Sequence, residues 1–159
     1  MKSEVFVSHH HEIDQVSPLI YGGFLEHMGR CIYEGIYAPK SPLANDQGLR
    51  RDVIKALSEL LLTNVRYPGG NFVSGYHWMD GVGPLEKRPV IQDRAWKSLE
   101  PNLFGTDEFI HLCRELNWKP MLAVNLGTGS PEEAADWVEY CNASPGTKFS
   151  NFRVTNGYT

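Results

Sequence analysis

Long apolar runs are missing from this 159-residue chain. No stretch approaches the roughly 18 apolar residues needed to cross a bilayer. An excess of basic charge is missing too: 15 Lys and Arg face 19 Asp and Glu, a formal net charge of −4. No positive field is therefore expected to draw nucleic acid or an anionic lipid surface. Cysteine is scarce, and Cys31, Cys113 and Cys141 are odd in number and widely spaced. That fits neither a disulfide framework nor a zinc site, so buried, reduced thiols are expected. Residues 1–14 carry three consecutive histidines and several charges where a secretory signal needs an apolar segment. A cytoplasmic location is the expectation. His9, His10 and His11 have no second ligand cluster and read as a solvated loop. The chain also has no Walker sequence, no HExxH and no Gly-x-Ser-x-Gly elbow.

What is present is ordinary globular composition, 42% hydrophobic, 11% aromatic and 21% charged. Disorder, collagen-like sequence and disulfide-scaffold miniproteins are excluded. Residues 5–7 read as a short strand. The run Leu19-Ile20-Tyr21-Gly22-Gly23-Phe24-Leu25 reads as the first strand of a main sheet. Leu49, Val53, Ala56, Leu57, Leu60 and Leu61 recur at helical spacing, with Asn45 or Asp46 as the expected cap. Residues 63–67 form a second strand, stopped by Pro68-Gly69-Gly70, and 71–105 a long connection. Thr106 is expected to cap a helix that buries Phe109, Leu112, Cys113 and Leu116. A third strand over 119–126 is apolar enough to be covered on both sides. Ser130-Pro131-Glu132-Glu133 is a capping box with proline at N1, and Ala134, Trp137, Val138 and Cys141 follow on one face. Beyond Cys141 the sequence reads as loop. The order is a βαβ series with a parallel sheet.

In such folds ligands gather at the carboxyl ends of the strands. Those ends deliver Glu26, His27 and Arg30; then Arg66, Asn71 and the aromatic loop Tyr76-His77-Trp78; then Asn125 and Gly127-Thr128-Gly129. Glu, Arg, Asn and His beside several aromatics suit a carbohydrate. Duller roles stand beside this one. Arg66 serves equally as a counter-ion for Glu26, Trp78 and Trp96 as cover for apolar surface, and Glu34, Glu86 and Glu100 as solvated loop residues. A dinucleotide site at Gly127-Thr128-Gly129 fails, because Glu132 stands where a third small residue is needed.

Five segments closely resemble α-L-arabinofuranosidases of glycoside hydrolase family 51. They are Ile20-Tyr21-Gly22-Gly23-Phe24-Leu25-Glu26-His27-Met28-Gly29-Arg30, Arg66-Tyr67-Pro68-Gly69-Gly70-Asn71-Phe72, Tyr76-His77-Trp78-Met79-Asp80-Gly81-Val82-Gly83-Pro84, Phe104-Gly105-Thr106-Asp107-Glu108-Phe109, and 124–134. The resemblance implies a (β/α)8 TIM barrel with an accessory β-sandwich domain built from both chain ends. Residues 1–16 then supply a strand and turn of the accessory domain, and 17–159 the first three βα units of the barrel. It implies a retaining enzyme that releases terminal α-L-arabinofuranosyl residues from hemicellulose-derived oligosaccharides, hexameric when complete, with no metal or organic cofactor. Carried over residue by residue, Glu26 binds arabinose hydroxyls, Arg66 holds the site's charges in place, Asn71 lines the same pocket, and Trp96 borders the leaving-group side.

One departure matters. Retaining hydrolysis needs two carboxyl groups about 5–5.5 Å apart. The family's acid/base follows an Asn in an Asn-Glu pair after the fourth strand, and its nucleophile ends a later strand. This sequence has no Asn-Glu dipeptide. Both catalytic carboxylates are expected beyond Thr159, leaving these residues inactive alone. The competing reading is a non-catalytic, truncated sugar-binding or assembly remnant.

Overall fold

The structure is a computed structural model that describes residues 1–158. In chain order its strands and helices are β1 (Gly23–Phe24), α1 (Arg51–Ser58), β2 (Asn64–Tyr67), β3 (Ile91–Gln92), β4 (Leu99–Glu100), α2 (Thr106–Glu115), β5 (Lys119–Leu122), α3 (Pro131–Asn142) and α4 (Lys148–Thr155). β2 lies between β1 and β5 and runs parallel to both, with Phe24 opposite Arg66 and Tyr67 opposite Leu122. Each new strand is added on the same side of its predecessor. A doubly wound sheet would reverse that order; this one winds in a single direction. The parallel α/β architecture is the one the βαβ pattern predicts.

Two aromatic-rich clusters hold it. Under the sheet, the Tyr67 ring stacks on Phe109 of α2 with centroids 4.5 Å apart, among Leu49, Val65, Phe104 and Leu112. The second cluster joins the connection after β2 to the last two helices. There Trp78 lies parallel to Trp137 and edge-on to Phe149. The long connection is further fastened by Arg88, whose guanidinium makes a two-pronged pair with Glu108 at 2.9 and 3.0 Å. Arg88 also donates to the carbonyls of Gly83 and Asn102. Glu108 in turn accepts the Gly105 N–H at 2.8 Å, capping α2.

Several expectations are corrected. Residues 5–7 form no strand: Val5, Phe6 and Val7 are exposed and have no ladder partner among the described residues, so water rather than a neighbouring strand meets their backbone. The first sheet strand shrinks to Gly23–Phe24, because Pro18–Ile20 turn as a 3-10 helix. α1 has no side-chain cap. Asn45 instead accepts the N–H groups of Gln47 and Leu49, closing the turn ahead of the helix. α1 ends at Ser58, so Leu60 and Leu61 are exposed. Gly105, not Thr106, precedes α2; the Thr106 hydroxyl accepts the Trp137 indole N–H across the helices. β5 is a sheet edge with Met121 exposed rather than a strand covered on both sides. On α3, Ser130 caps as expected at 3.1 Å, but Val138 faces out while Trp137 and Tyr140 face in. Residues expected as terminal loop form α4, started by Thr147 and Ser150 and seated by Phe149. The long connection contains the β3–β4 hairpin. Cys31 is exposed, whereas Cys113 is buried. His9–His11 form an exposed turn, as a solvated loop should.

Asp107 offers a test of how α2 and α3 pack. It is buried, with the Tyr140 hydroxyl donating to its two oxygens at 3.1 and 3.0 Å. Burial pushes its carboxyl up to about 6, against the pull of that hydrogen bond. A carboxyl with a raised folded pKa contributes most below its unfolded value of about 3.9 and loses that contribution as pH rises through about 6. Asp107→Asn keeps an acceptor for Tyr140. Its stability relative to the parent is expected to rise between pH 4 and pH 8 by on the order of 3 kcal/mol. Urea unfolding at both pH values measures it, and a difference constant with pH would refute the burial argument.

Candidate functional site

Loops from the carboxyl ends of β1, β2 and β5 converge on one side of the sheet. Glu26 leaves β1 almost fully buried, at 8% exposure. Its Oε1 accepts the Phe72 N–H at 3.1 Å. Its Oε2 has no hydrogen-bond partner, and no cation lies within ion-pair reach, among the described residues. Gly69 makes room for it. A Cβ there would overlap the Glu26 side chain, and φ is +143°, which L side chains rarely adopt. Arg66 does not pair with Glu26. Its Nη2 donates to the Gly69 carbonyl at 3.3 Å, and its guanidinium lies 4.9 Å over the Phe24 ring, a cation–π contact. Arg66 thus holds the backbone that shapes the Glu26 niche.

Beside this niche runs a cleft of about 630 Å³. Asn71, Phe72 and His77 line one part, Asp93 and Arg94 of the hairpin another, and Thr128 the third. The Thr128 wall is built by Asn125, whose Oδ1 accepts the N–H groups of Gly127 and Thr128, both at 2.9 Å. Its amide donates to the Tyr76 carbonyl at 2.9 Å. His77 stands half-exposed in the cleft, its Nδ1 2.9 and 3.1 Å from the two oxygens of Glu133.

Of the four residues expected to bind substrate, the structure brings Glu26, Arg66 and Asn71 to one locality. Trp96 is not among the residues lining the cleft. It sits in the turn between β3 and β4, its backbone N–H held by Asp93 Oδ2 at 3.0 Å. Trp78 is a core residue, donating its indole N–H to the Glu133 carbonyl at 3.0 Å. Glu34 and Glu86 are exposed, as expected of solvated loops.

Glu100 is the correction: it is 4% exposed. Its Oε2 lies 3.0 Å from His27 Nδ1, and its Oε1 accepts the Tyr33 hydroxyl and the Asn102 N–H. His27 Nε2 reaches the Tyr67 hydroxyl at 3.0 Å, and its ring stacks on Phe72 at 4.4 Å. Burial pushes the Tyr33 and Tyr67 hydroxyls well up, keeping both protonated as donors. This network and the His77–Glu133 pair escaped sequence reasoning. The partners lie 73 and 56 residues apart, with no local pattern to join them.

Comparison with known proteins places this geometry. The model of the α-L-arabinofuranosidase 1 domain matches residues 56–159. α-L-Arabinofuranosidase C of Emericella nidulans is 52% identical over 145 residues, 91% of this chain and 29% of that protein. The intracellular exo-α-(1→5)-L-arabinofuranosidase of Acetivibrio thermocellus is 46% identical over 98% of this chain and 31% of its own length. Among solved structures, the thermostable family 51 α-L-arabinofuranosidase of Thermotoga petrophila superposes with a TM-score of 0.89 at 49% identity. That match covers 92% of this chain and 30% of the other. The chain therefore spans less than a third of the length of these relatives.

The niche makes a stability prediction of its own. Gly69→Ala forces a side chain into the Glu26 contact at a positive φ and is expected to cost about 1–3 kcal/mol. Gly75→Ala, where nothing lies within 4 Å of the added carbon, should stay within about 0.5 kcal/mol of the parent. Urea unfolding of the two variants checks this, and equal effects would remove the close approach.

Proposed function

We propose, from the premise that this chain belongs to the α-L-arabinofuranosidases of glycoside hydrolase family 51, that it supplies part of the substrate site of such an enzyme. The full-length protein would release terminal α-L-arabinofuranosyl residues from arabinose-containing hemicellulose oligosaccharides with retention of configuration. One observation carries the reading: Glu26 has one oxygen fixed by the Phe72 N–H and the other open, at the carboxyl end of a parallel strand beside a polar cleft. A buried carboxylate without a cation accepts strongly from sugar hydroxyls. Arg66 holds the niche, Asn71 lines the approach, and Trp96, in the turn of the β3–β4 hairpin, borders the leaving-group side.

In this reading residues 17–159 are the first three units of a (β/α)8 barrel and 1–16 belong to an accessory β-sandwich. The acid/base and nucleophile carboxylates lie beyond Thr159. The complete protein works in the cytoplasm as a homo-oligomer, a hexamer, without metal or organic cofactor. No described helix is long and apolar enough to cross a membrane. The relative from Acetivibrio thermocellus is named as intracellular.

The test is hydrolysis of an aryl α-L-arabinofuranoside followed by NMR of the first-formed sugar. The full-length protein is expected to release the α anomer, and residues 1–159 alone to release nothing. A β-anomer product sinks the retaining mechanism, and turnover by the short chain sinks the placement of the catalytic pair.

Glu26→Ala in the full-length protein removes charge-assisted hydrogen bonds worth about 1.5–3 kcal/mol each. With two lost, kcat/KM is expected to fall at least about 100-fold. Kinetics within a few-fold of the parent would take Glu26 out of the pocket.

A further inference from the structure

The cleft holds a second prepared polar group. His77 Nδ1 is engaged by both oxygens of Glu133. A carboxylate accepts, so Nδ1 carries the hydrogen and Nε2 is the nitrogen left over. Nε2 has no hydrogen-bond partner among the described residues, and the side chain is 43% exposed where it lines the cleft. Glu133 is itself firmly placed. Its N–H donates to Ser130 Oγ at 3.1 Å, and it sits in the first turn of α3, where the helix dipole favours a carboxylate. A Cβ at Gly129 would come within 2.9 Å of its Oε2. The loop does not need the imidazole as a fastener, because Trp78 already joins the same segment to the Glu133 carbonyl.

The cleft adjoins the Glu26 niche through Phe72, which lines one and donates its N–H to the other. We propose that His77 Nε2 hydrogen-bonds a hydroxyl of the sugar unit next to the arabinofuranosyl residue held at Glu26. The His77–Glu133 pair thereby builds a subsite that selects carbohydrate over non-carbohydrate leaving groups. The inference rests on the reading of Glu26 given above. Glu133 sets the orientation of the ring, and Asn71, Gln92 and Arg94 supply further polar groups along the same cleft.

The experiment compares two substrates in the full-length protein: an arabinofuranosyl oligosaccharide, and an aryl arabinofuranoside whose leaving group offers no hydroxyl to the subsite. His77→Ala is expected to raise KM for the oligosaccharide about tenfold, the effect of one lost hydrogen bond. It should leave kcat/KM for the aryl substrate within about twofold. His77→Gln, which returns a polar group of similar reach, is expected to recover part of the oligosaccharide KM. Equal losses on both substrates, with a lowered melting temperature, would make the pair a loop fastener and overturn the subsite. So would unchanged kinetics on both. A parent protein that cleaves neither substrate overturns the reading of Glu26 and the subsite with it, a result distinct from cleavage of both without selectivity.

Discussion

The loop end of the sheet depends on the imidazole of His27. Its two nitrogens reach Glu100 and Tyr67, and its face lies on Phe72, so β1, β2, the hairpin and the connection after β2 meet at one ring. Buried pairs of this kind add little net stability over a well-packed apolar substitute, because desolvation offsets the attraction. What they supply is direction. Hydrogen bonds at both nitrogens fix the plane of the ring, and the 12° stack transfers that plane to Phe72. The Phe72 backbone N–H then meets the carboxylate of Glu26. Apolar packing alone would hold Phe72 in place far less tightly, since it has no angular preference.

The architecture was legible because it is local. Parallel strands appear as short apolar runs, and α3 announces itself through Ser130, Pro131 and Glu133 in a pattern with a direct hydrogen-bond meaning. α4 was missed because its start uses Ser150 where the pattern expects Glu or Gln, and its one buried apolar anchor, Phe149, is a single aromatic without periodicity. The hairpin was missed because each strand has two residues, too few to alternate visibly. The site was legible only in part. Strand-end position set Glu26 apart from the loop residues Glu34 and Glu86, and family resemblance supplied its role. Glu100 looked like a loop carboxylate, and its burial follows from His27 and Tyr33, 73 and 67 residues earlier in the chain.

A different mismatch concerns the sheet's edges. Met121-Leu122-Ala123-Val124 is written for a strand with cover on both faces, yet Met121 and Leu126 are exposed, and so is Phe24 on the opposite edge strand. Unpaired edges carrying large apolar side chains are a liability that proteins normally manage. These apolar residues ask for more burial than the described residues supply. Among the site's polar groups, Asn125, Glu100 and Glu133 all have partners, whereas the buried Tyr76 hydroxyl and Asn102 Oδ1 have none among the described residues. The sheet edges are thus short of hydrophobic cover among the described residues.

The same bookkeeping of partners decides what these carboxylates can do. Asp93 uses both oxygens on the N–H groups of Ala95 and Trp96. Glu133 uses both on His77, and Glu100 is engaged by His27, Tyr33 and Asn102. Among these four carboxylates, Glu26 is the one that keeps an oxygen without a protein partner among the described residues. A retaining glycosidase needs one carboxylate to attack the anomeric carbon and another to pass a proton to the leaving oxygen. A carboxylate oxygen that accepts one hydrogen bond keeps a further lone pair, so such bonds orient a carboxylate rather than disable it. Recognition makes no demand for a pair: an open oxygen on a fixed carboxylate is already in the state that accepts a hydroxyl. What the three parallel strands present at this end is thus one fixed carboxylate with an oxygen open to a hydroxyl donor, beside a polar cleft.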